Sequence, residues 1–348
     1  ARDSGEWDNK RGFLAGAPAG LGLEDLVEQA DPEAEVSTSQ LDEEMAAASS
    51  GAPADSSRSE RVPEEPSLPP PFWGSQVLAE ADIALDEVFA YLDRNALFAG
   101  QWQLRKAQGQ SRQDYDAMLL EKAEPVLQHW LDRCRQEGLL TPRLAYGYFP
   151  CGRDGNSVIV FDPAGMADGA TPDCAGSQLG RFELPRQRSG NRYCIADFYR
   201  DLHTGADGQP RPADVLPMQA VTMGERASLF AQELFRADQY SDYLYFHGLA
   251  VQMAEALAEW VHARIRRELG HPDPAGMPLR DVLAQRYRGS RYSFGYPACP
   301  NVADSRQQLL WLGADRIGLS MDESDQLHPE QSTTALVALH SQARYFSA

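Results

Sequence analysis

The run Tyr287-Arg-Gly-Ser-Arg-Tyr-Ser-Phe-Gly-Tyr-Pro-Ala-Cys-Pro300 limits what this chain can fold into more than any other stretch. Gly289 and Gly295 are free to take positive φ, while Pro297 and Pro300 fix φ and remove backbone donors. Neither a helix nor a central strand tolerates that combination, so the run must be an ordered loop that turns sharply. Most isolated Gly/Pro loops are only rigid connectors. Here Arg288, Arg291, Cys299 and the tyrosines that flank Phe294 also make it a candidate ligand loop.

The flanking sequence alternates between helical and strand-like periods. Asp82 is a candidate cap for a helix running to Tyr91, and Asp93 for a second helix beginning near Asn95. Ser111 and Asp114 resemble a capping box opening a long helix, with apolar positions from Tyr115 to Cys134, that Gly138 ends. Strands are expected at Leu144–Phe149 and Val158–Phe161 around a turn at Asp154-Gly-Asn156, then at Phe182–Arg186, Cys194–Phe198 and Val215–Thr222. Helix returns from Glu225 to Arg236 and from Tyr240 to Glu268, where Leu249, Met253, Ala256, Leu257 and Trp260 form the buried stripe. A short helix around Ser305–Leu312 and a strand at Thr334–His340 complete the pattern. Hairpin-like spacing without βαβ alternation or a Gly-x-Gly-x-x-Gly turn predicts an α+β fold: long helices around a central, largely antiparallel sheet.

Charge is unevenly distributed. Residues 1–70 hold 16 Asp/Glu and 5 Lys/Arg, and so 11 of the 19 net negative charges. Residues 1–71 read as an acidic Ala/Ser/Pro-rich extension, mostly disordered apart from a brief helix at Leu21–Val27, with the folded domain at 72–348. An acidic chain is poorly suited to nucleic-acid phosphates. No apolar run is long enough to span a membrane, and no signal-peptide pattern is seen in the first residues. Five scattered cysteines without a Cys-x-x-Cys pair point to a reducing cytoplasmic setting. The first residue is Ala1 rather than methionine, as expected of a piece of a longer or processed protein.

Conventional catalytic motifs are missing. No glycine-flanked nucleophilic serine is visible, and Cys299 reads as a packed side chain sooner than as a reactive thiol. Glu255, Glu259 and His262 share a helix face and resemble half of a di-iron site, but no second helix of that type exists. No metal ligands and no catalytic acid or base are therefore assigned.

Arg291-x-x-x-Gly-Tyr-Pro-Ala-Cys-Pro300 resembles the S-adenosylmethionine-binding loop of the activation (reactivation) domain of cobalamin-dependent methionine synthase. Other blocks follow in the same order: Pro70-Pro-Phe-Trp-Gly74, Phe89-Ala-Tyr-Leu-Asp93, Tyr193-Cys-Ile-Ala-Asp-Phe198, Ala254–His262 and Arg344-Tyr-Phe346. The resemblance implies a ligand site made by Asp93, Glu255, Arg291, Gly295, Tyr296, Ala298 and Tyr345. It also implies reductive methylation of inactive cob(II)alamin to methylcobalamin, with cobalamin carried by a separate domain and an electron from flavodoxin or a similar reductase. The chain has no Asp-x-His-x-x-Gly cobalamin motif and no zinc-thiolate homocysteine module, so it is not expected to make methionine alone. Two departures stand out: Asn301-Val-Ala-Asp-Ser305 replaces the Asp-His-Thr-Glu-Lys common in the family, and Phe346 replaces a second tyrosine. A non-catalytic adaptor that docks on a cobalamin domain or flavodoxin is the alternative reading.

Overall fold

A computed structural model of the protein describes residues 56–174 and 176–348, together with a two-stranded antiparallel pair at Trp7–Asp8 and Phe13–Leu14. The helix expected at 21–27 and most of the acidic extension lie outside the described residues.

A seven-stranded sheet forms the centre. Its strands are β1 (Gly74–Leu78), β2 (Arg143–Asp154), β3 (Ser157–Phe161), β4 (Gln178–Glu183), β5 (Asp214–Thr222), β6 (Ser290–Tyr292) and β7 (Ser332–Ala338). The order is β6-β7-β5-β2-β3-β4, and every pairing is antiparallel. β2 is long enough to hold β1 beside Leu144–Tyr148 and β3 beside Cys151–Asp154 on one edge, while β5 covers its other edge.

Both faces of the sheet are covered, and the period-two alternation of β2 and β5 assigns their side chains to two cores. Leu144, Tyr146, Tyr148, Val215 and Val221 join the helical core. Ala145, Phe149, Cys151, Leu216, Met218 and Ala220 join the other, with Tyr292, Phe294, Ala298 and Cys299 of the central loop. The helices are α1 (Leu85–Phe89), α2 (Arg112–Met118), α3 (Glu124–Glu137), α4 (Glu225–Arg236), α5 (Tyr240–Glu268), α6 (Leu279–Leu283) and α7 (Asp304–Leu312). Most of α5 is buried, and Leu249, Met253, Ala256 and Leu257 form its inner stripe, whereas Trp260 is half-buried and donates to Glu87 at 3.1 Å.

Several expectations change. The helix predicted between Ser111 and Gly138 is capped at Ser111 as expected, but a π-turn at Leu119–Ala123 interrupts it. Pro125, in the first turn of α3, has no N–H to give to the preceding turn, so an α-helical ladder cannot continue through it. Asp82 does not cap α1; its carboxylate accepts from Ala79 N–H, and Ala84 precedes the helix. Cys194–Phe198 is a 3₁₀ turn at Ile195–Phe198 rather than a strand. All four residues of this turn are buried, and Asp197 takes Arg186 at 2.5 and 2.7 Å and Arg153 at 3.2 Å.

Residues 56–71, which composition places in the extension, lie against the folded body. Val62 is fully buried in the second core, and Arg58 donates to Tyr199 O at 2.8 Å and to Asp201 at 2.9 Å. Glu65 pairs with Arg288 and accepts from Ser341 N–H at 3.1 Å. A composition average hides one buried valine and two well-placed charges.

Candidate functional site

Alternation along β6 sorts the central loop. Ser290 and Tyr292 are buried on the side of the second core, so Arg291 between them points the other way, toward α5. There its Nη2 donates to Glu259 Oε2 at 3.1 Å, and Nη1 stands 3.9 Å from Glu255. Glu255, Glu259 and His262 lie on one face of α5, and that face descends into the protein: their side chains are 51%, 8% and 0% exposed. Glu255 thus faces solvent beside Arg291, while Glu259 is enclosed by Arg291, Tyr287 and Arg266.

Burial works against the charge on Arg291, but Glu259 and Glu255 outweigh it and raise its pKa. Burial, with Glu259 adding, pushes the Tyr287 phenol up. His262 goes the other way: burial first, then Arg266 and Arg291, hold its pKa well below the usual histidine range. Neither of its ring nitrogens has a hydrogen-bond partner among the described residues, and its ring meets Tyr287 edge-on at 5.2 Å. No group of three or more His, Cys, Asp or Glu is arranged for a metal ion among the described residues. The helix face shared by Glu255, Glu259 and His262 takes part in an ion-pair network with Arg291 and Arg266.

Beyond β6 the chain turns where its prolines allow. Cys299 N–H donates to Tyr296 O at 2.8 Å across Pro297 and Ala298, and Gly295 N–H donates to Cys299 O at 2.9 Å. Gly295 has φ +97°, and a Cβ there would stand 3.1 Å from Val302 Cγ2, so only glycine fits without strain. The turn is anchored by buried Phe294, Ala298 and Cys299, leaving Tyr296 more than half exposed at its tip. Burial pushes the Cys299 thiol up to about 12, and its sulfur sits 2.9 Å from Ser293 O, the arrangement of a packed, protonated thiol.

The C-terminal tail meets the same place. Tyr292 O–H donates to Arg344 O at 2.8 Å, and Phe346 packs among Tyr193, Phe198 and Tyr292. Held on both sides, Tyr345 projects more than half exposed. The Tyr296 phenol is raised by partial burial and then by Glu255 and Tyr345, against Arg291, so these four side chains form one neighbourhood.

Of the residues the sequence singles out, Glu255, Arg291, Gly295, Tyr296 and Tyr345 come together. Ala298 is enclosed, so its side chain holds the turn's shape rather than facing solvent. Asp93 caps the next turn, accepting from Asn95 and Ala96 N–H at 2.9 and 3.0 Å; no hydrogen bond or ion pair joins it to Glu255 or Arg291 among the described residues. Its neighbour Tyr91 does feel Arg266 and Glu259, which brings this segment to the rim of the same network. Sequence reading missed Tyr287 and Arg266, and it left Glu259 without a role, on a helix face that resembles half of a metal site. The Glu255/Glu259 spacing of one helical turn was the available signal.

The cluster offers a carboxylate for a cation, a guanidinium for an anion, exposed aromatic faces and an open glycine backbone. These suit a small zwitterionic ligand with a ring. Residues 84–348 match the family described as the activation domain of vitamin B12 dependent methionine synthase. The methionine synthase of Mycobacterium tuberculosis is 40% identical over 285 residues, and that of Mycobacterium leprae 40% over 289. Each alignment covers 80% of this chain but only 23% of the relative, so the chain spans about a quarter of the length of the proteins it matches. In fold it resembles the crystal structure of a MetH reactivation domain bound to AdoHcy, with a TM-score of 0.66 and 21% identity over 81% of this chain and 83% of that one. The chain belongs to the family of vitamin B12 dependent methionine synthase activation domains.

Proposed function

We propose that this domain binds S-adenosylmethionine in the neighbourhood of Glu255, Arg291, Gly295, Tyr296 and Tyr345, with Asp93 at its rim, and supports reductive methylation of cob(II)alamin. The carrying observation is the convergence of β6, α5 and the C-terminal tail on Tyr296, where one carboxylate, one guanidinium and two exposed phenols meet. The MetH reactivation domain solved bound to AdoHcy, the demethylated form of that ligand, supports the reading.

The residues fit such a ligand. Glu255, exposed and not locked to Arg291, suits a sulfonium or ammonium group, and Arg291 suits a carboxylate. Gly295 lets a ligand approach the backbone, and Tyr296 and Tyr345 offer aromatic faces. A sulfonium methyl is already activated for in-line displacement, so the domain's task is positioning, without a general base. The cobalamin, held by a separate cobalamin-binding domain of methionine synthase, supplies the reduced cobalt that accepts the methyl. Flavodoxin or a similar reductase supplies the electron, and the cytoplasm is the compartment that joins these partners.

The test is transfer of labelled methyl from S-adenosylmethionine to a supplied cob(II)alamin domain under reduction. Transfer that depends on this chain supports the proposal. Firm docking without transfer would replace it with the adaptor reading.

A further inference from the structure

Glu259 lies one helical turn beyond Glu255 on α5 but is nearly enclosed, and its two oxygens do different things. Oε2 accepts from Arg291 Nη2 at 3.1 Å and from the Tyr287 hydroxyl at 3.0 Å. Oε1 faces Arg266 Nη1 at 3.5 Å and His262 Nδ1 at 3.8 Å. Arg266 does not depend on this contact, because Asp273 takes it with two bonds of 2.7 and 2.5 Å. Among the described residues Arg291 has no comparable second partner: its Nη1 is 3.9 Å from Glu255, beyond direct hydrogen-bonding distance.

We infer that Glu259 is a positioning residue for Arg291, holding the Nη2 edge of the guanidinium so that its remaining edge faces the ligand's anionic group. The inference rests on the reading that Arg291 faces S-adenosylmethionine. An unrestrained arginine loses rotamer freedom when it binds, whereas one already fixed by a buried carboxylate does not lose it again. The shared Tyr287 bond fixes Glu259 in turn, and the ring of Tyr287 lies 3.6 Å from the Arg266 guanidinium, which closes the support. Glu255, on the solvent side, is left free to meet a cationic group.

The experiment is a double-mutant cycle on the full chain, read as S-adenosylmethionine affinity by calorimetry. Glu259→Gln should weaken binding about tenfold or more in the wild-type background, the scale of a lost charge-assisted contact. In the Arg291→Ala background it should change affinity by less than about twofold, because nothing remains to position. Equal losses in both backgrounds, or no loss in either, would overturn the inference. Glu259→Asp keeps the charge but withdraws the carboxylate by one methylene, and serves if the Gln variant does not fold. It should still weaken binding; full rescue would mean that the charge matters and its position does not. A folded wild type without saturable binding would instead overturn the ligand reading itself, and this assignment with it.

Discussion

Arg288 and Arg291 are three residues apart and carry the same side chain, yet they serve different neighbours. Arg288 turns to Leu339 O and Glu65, while Arg291 turns to α5, because Gly289 ends the preceding segment and β6 starts its alternation at Ser290. The sequence carries both arginines but not the register that separates them; only the family resemblance selected Arg291. Phe346 shows a departure with a physical reason: it is buried among Tyr193, Phe198 and Tyr292, where a second hydroxyl would need a partner. Phe346→Ala should cost about 3–5 kcal/mol in denaturant unfolding, and should also weaken S-adenosylmethionine binding by releasing Tyr345. His262 makes a pH prediction. It is held neutral in the fold by burial and by Arg266 and Arg291, with Glu259 and Tyr287 as its other neighbours, so its pKa lies below the 6.5 of the unfolded chain. Below about pH 6.5 the unfolded state takes a proton that the folded state refuses, and stability falls as pH falls, by about 1.4 kcal/mol per unit for one such proton. His247, also lowered by burial, adds in the same direction. His262→Leu should make the acid limb of a stability-against-pH curve shallower; an unchanged limb would contradict the assignment.

Elements with a clear period were legible: β3, β5, α4, α5 and α7 lie close to where hydrophobic alternation and caps put them, whereas β2 runs on past the expected Leu144–Phe149 to Asp154. Those that failed did so where a tertiary demand beat the local pattern. Cys194–Phe198 has a strand's composition, but a buried aspartate with two arginines required a turn. The π-turn at Leu119–Ala123 follows from Pro125, a signal that the apolar period from Tyr115 to Cys134 does not register. Gly248, in the middle of α5, marks a contact that periodicity cannot show: a Cβ there would stand 2.8 Å from Gln101 Cβ and 3.1 Å from Trp102. Alanine is preferred over glycine in a free helix by about 0.5–1 kcal/mol, whereas overpacking costs about 1–3 kcal/mol. Gly248→Ala should therefore destabilise the domain, and a raised melting temperature would refute that close packing.

At the scale of the whole molecule, the sheet separates two cores and its β6 edge brings them to one place. Arg291 leaves toward the helical side, Tyr292 and the turn pack on the other, and the C-terminal tail closes beside both. Residues 56–71 extend the domain beyond the boundary that composition suggests, because burial of Val62 and the contacts of Arg58 and Glu65 are pairwise facts that no average records. Val62→Ala should cost about 2 kcal/mol by chemical denaturation; no loss would mean that this segment contributes little to the fold. The proposed S-adenosylmethionine site joins β6, α5 and the tail. Titration calorimetry of that ligand into the wild-type chain and Arg291→Ala tests it most directly. Saturable binding that the variant weakens by about 1–3 kcal/mol is expected; a folded wild type that binds nothing, or a variant that binds as well as wild type, would refute the site.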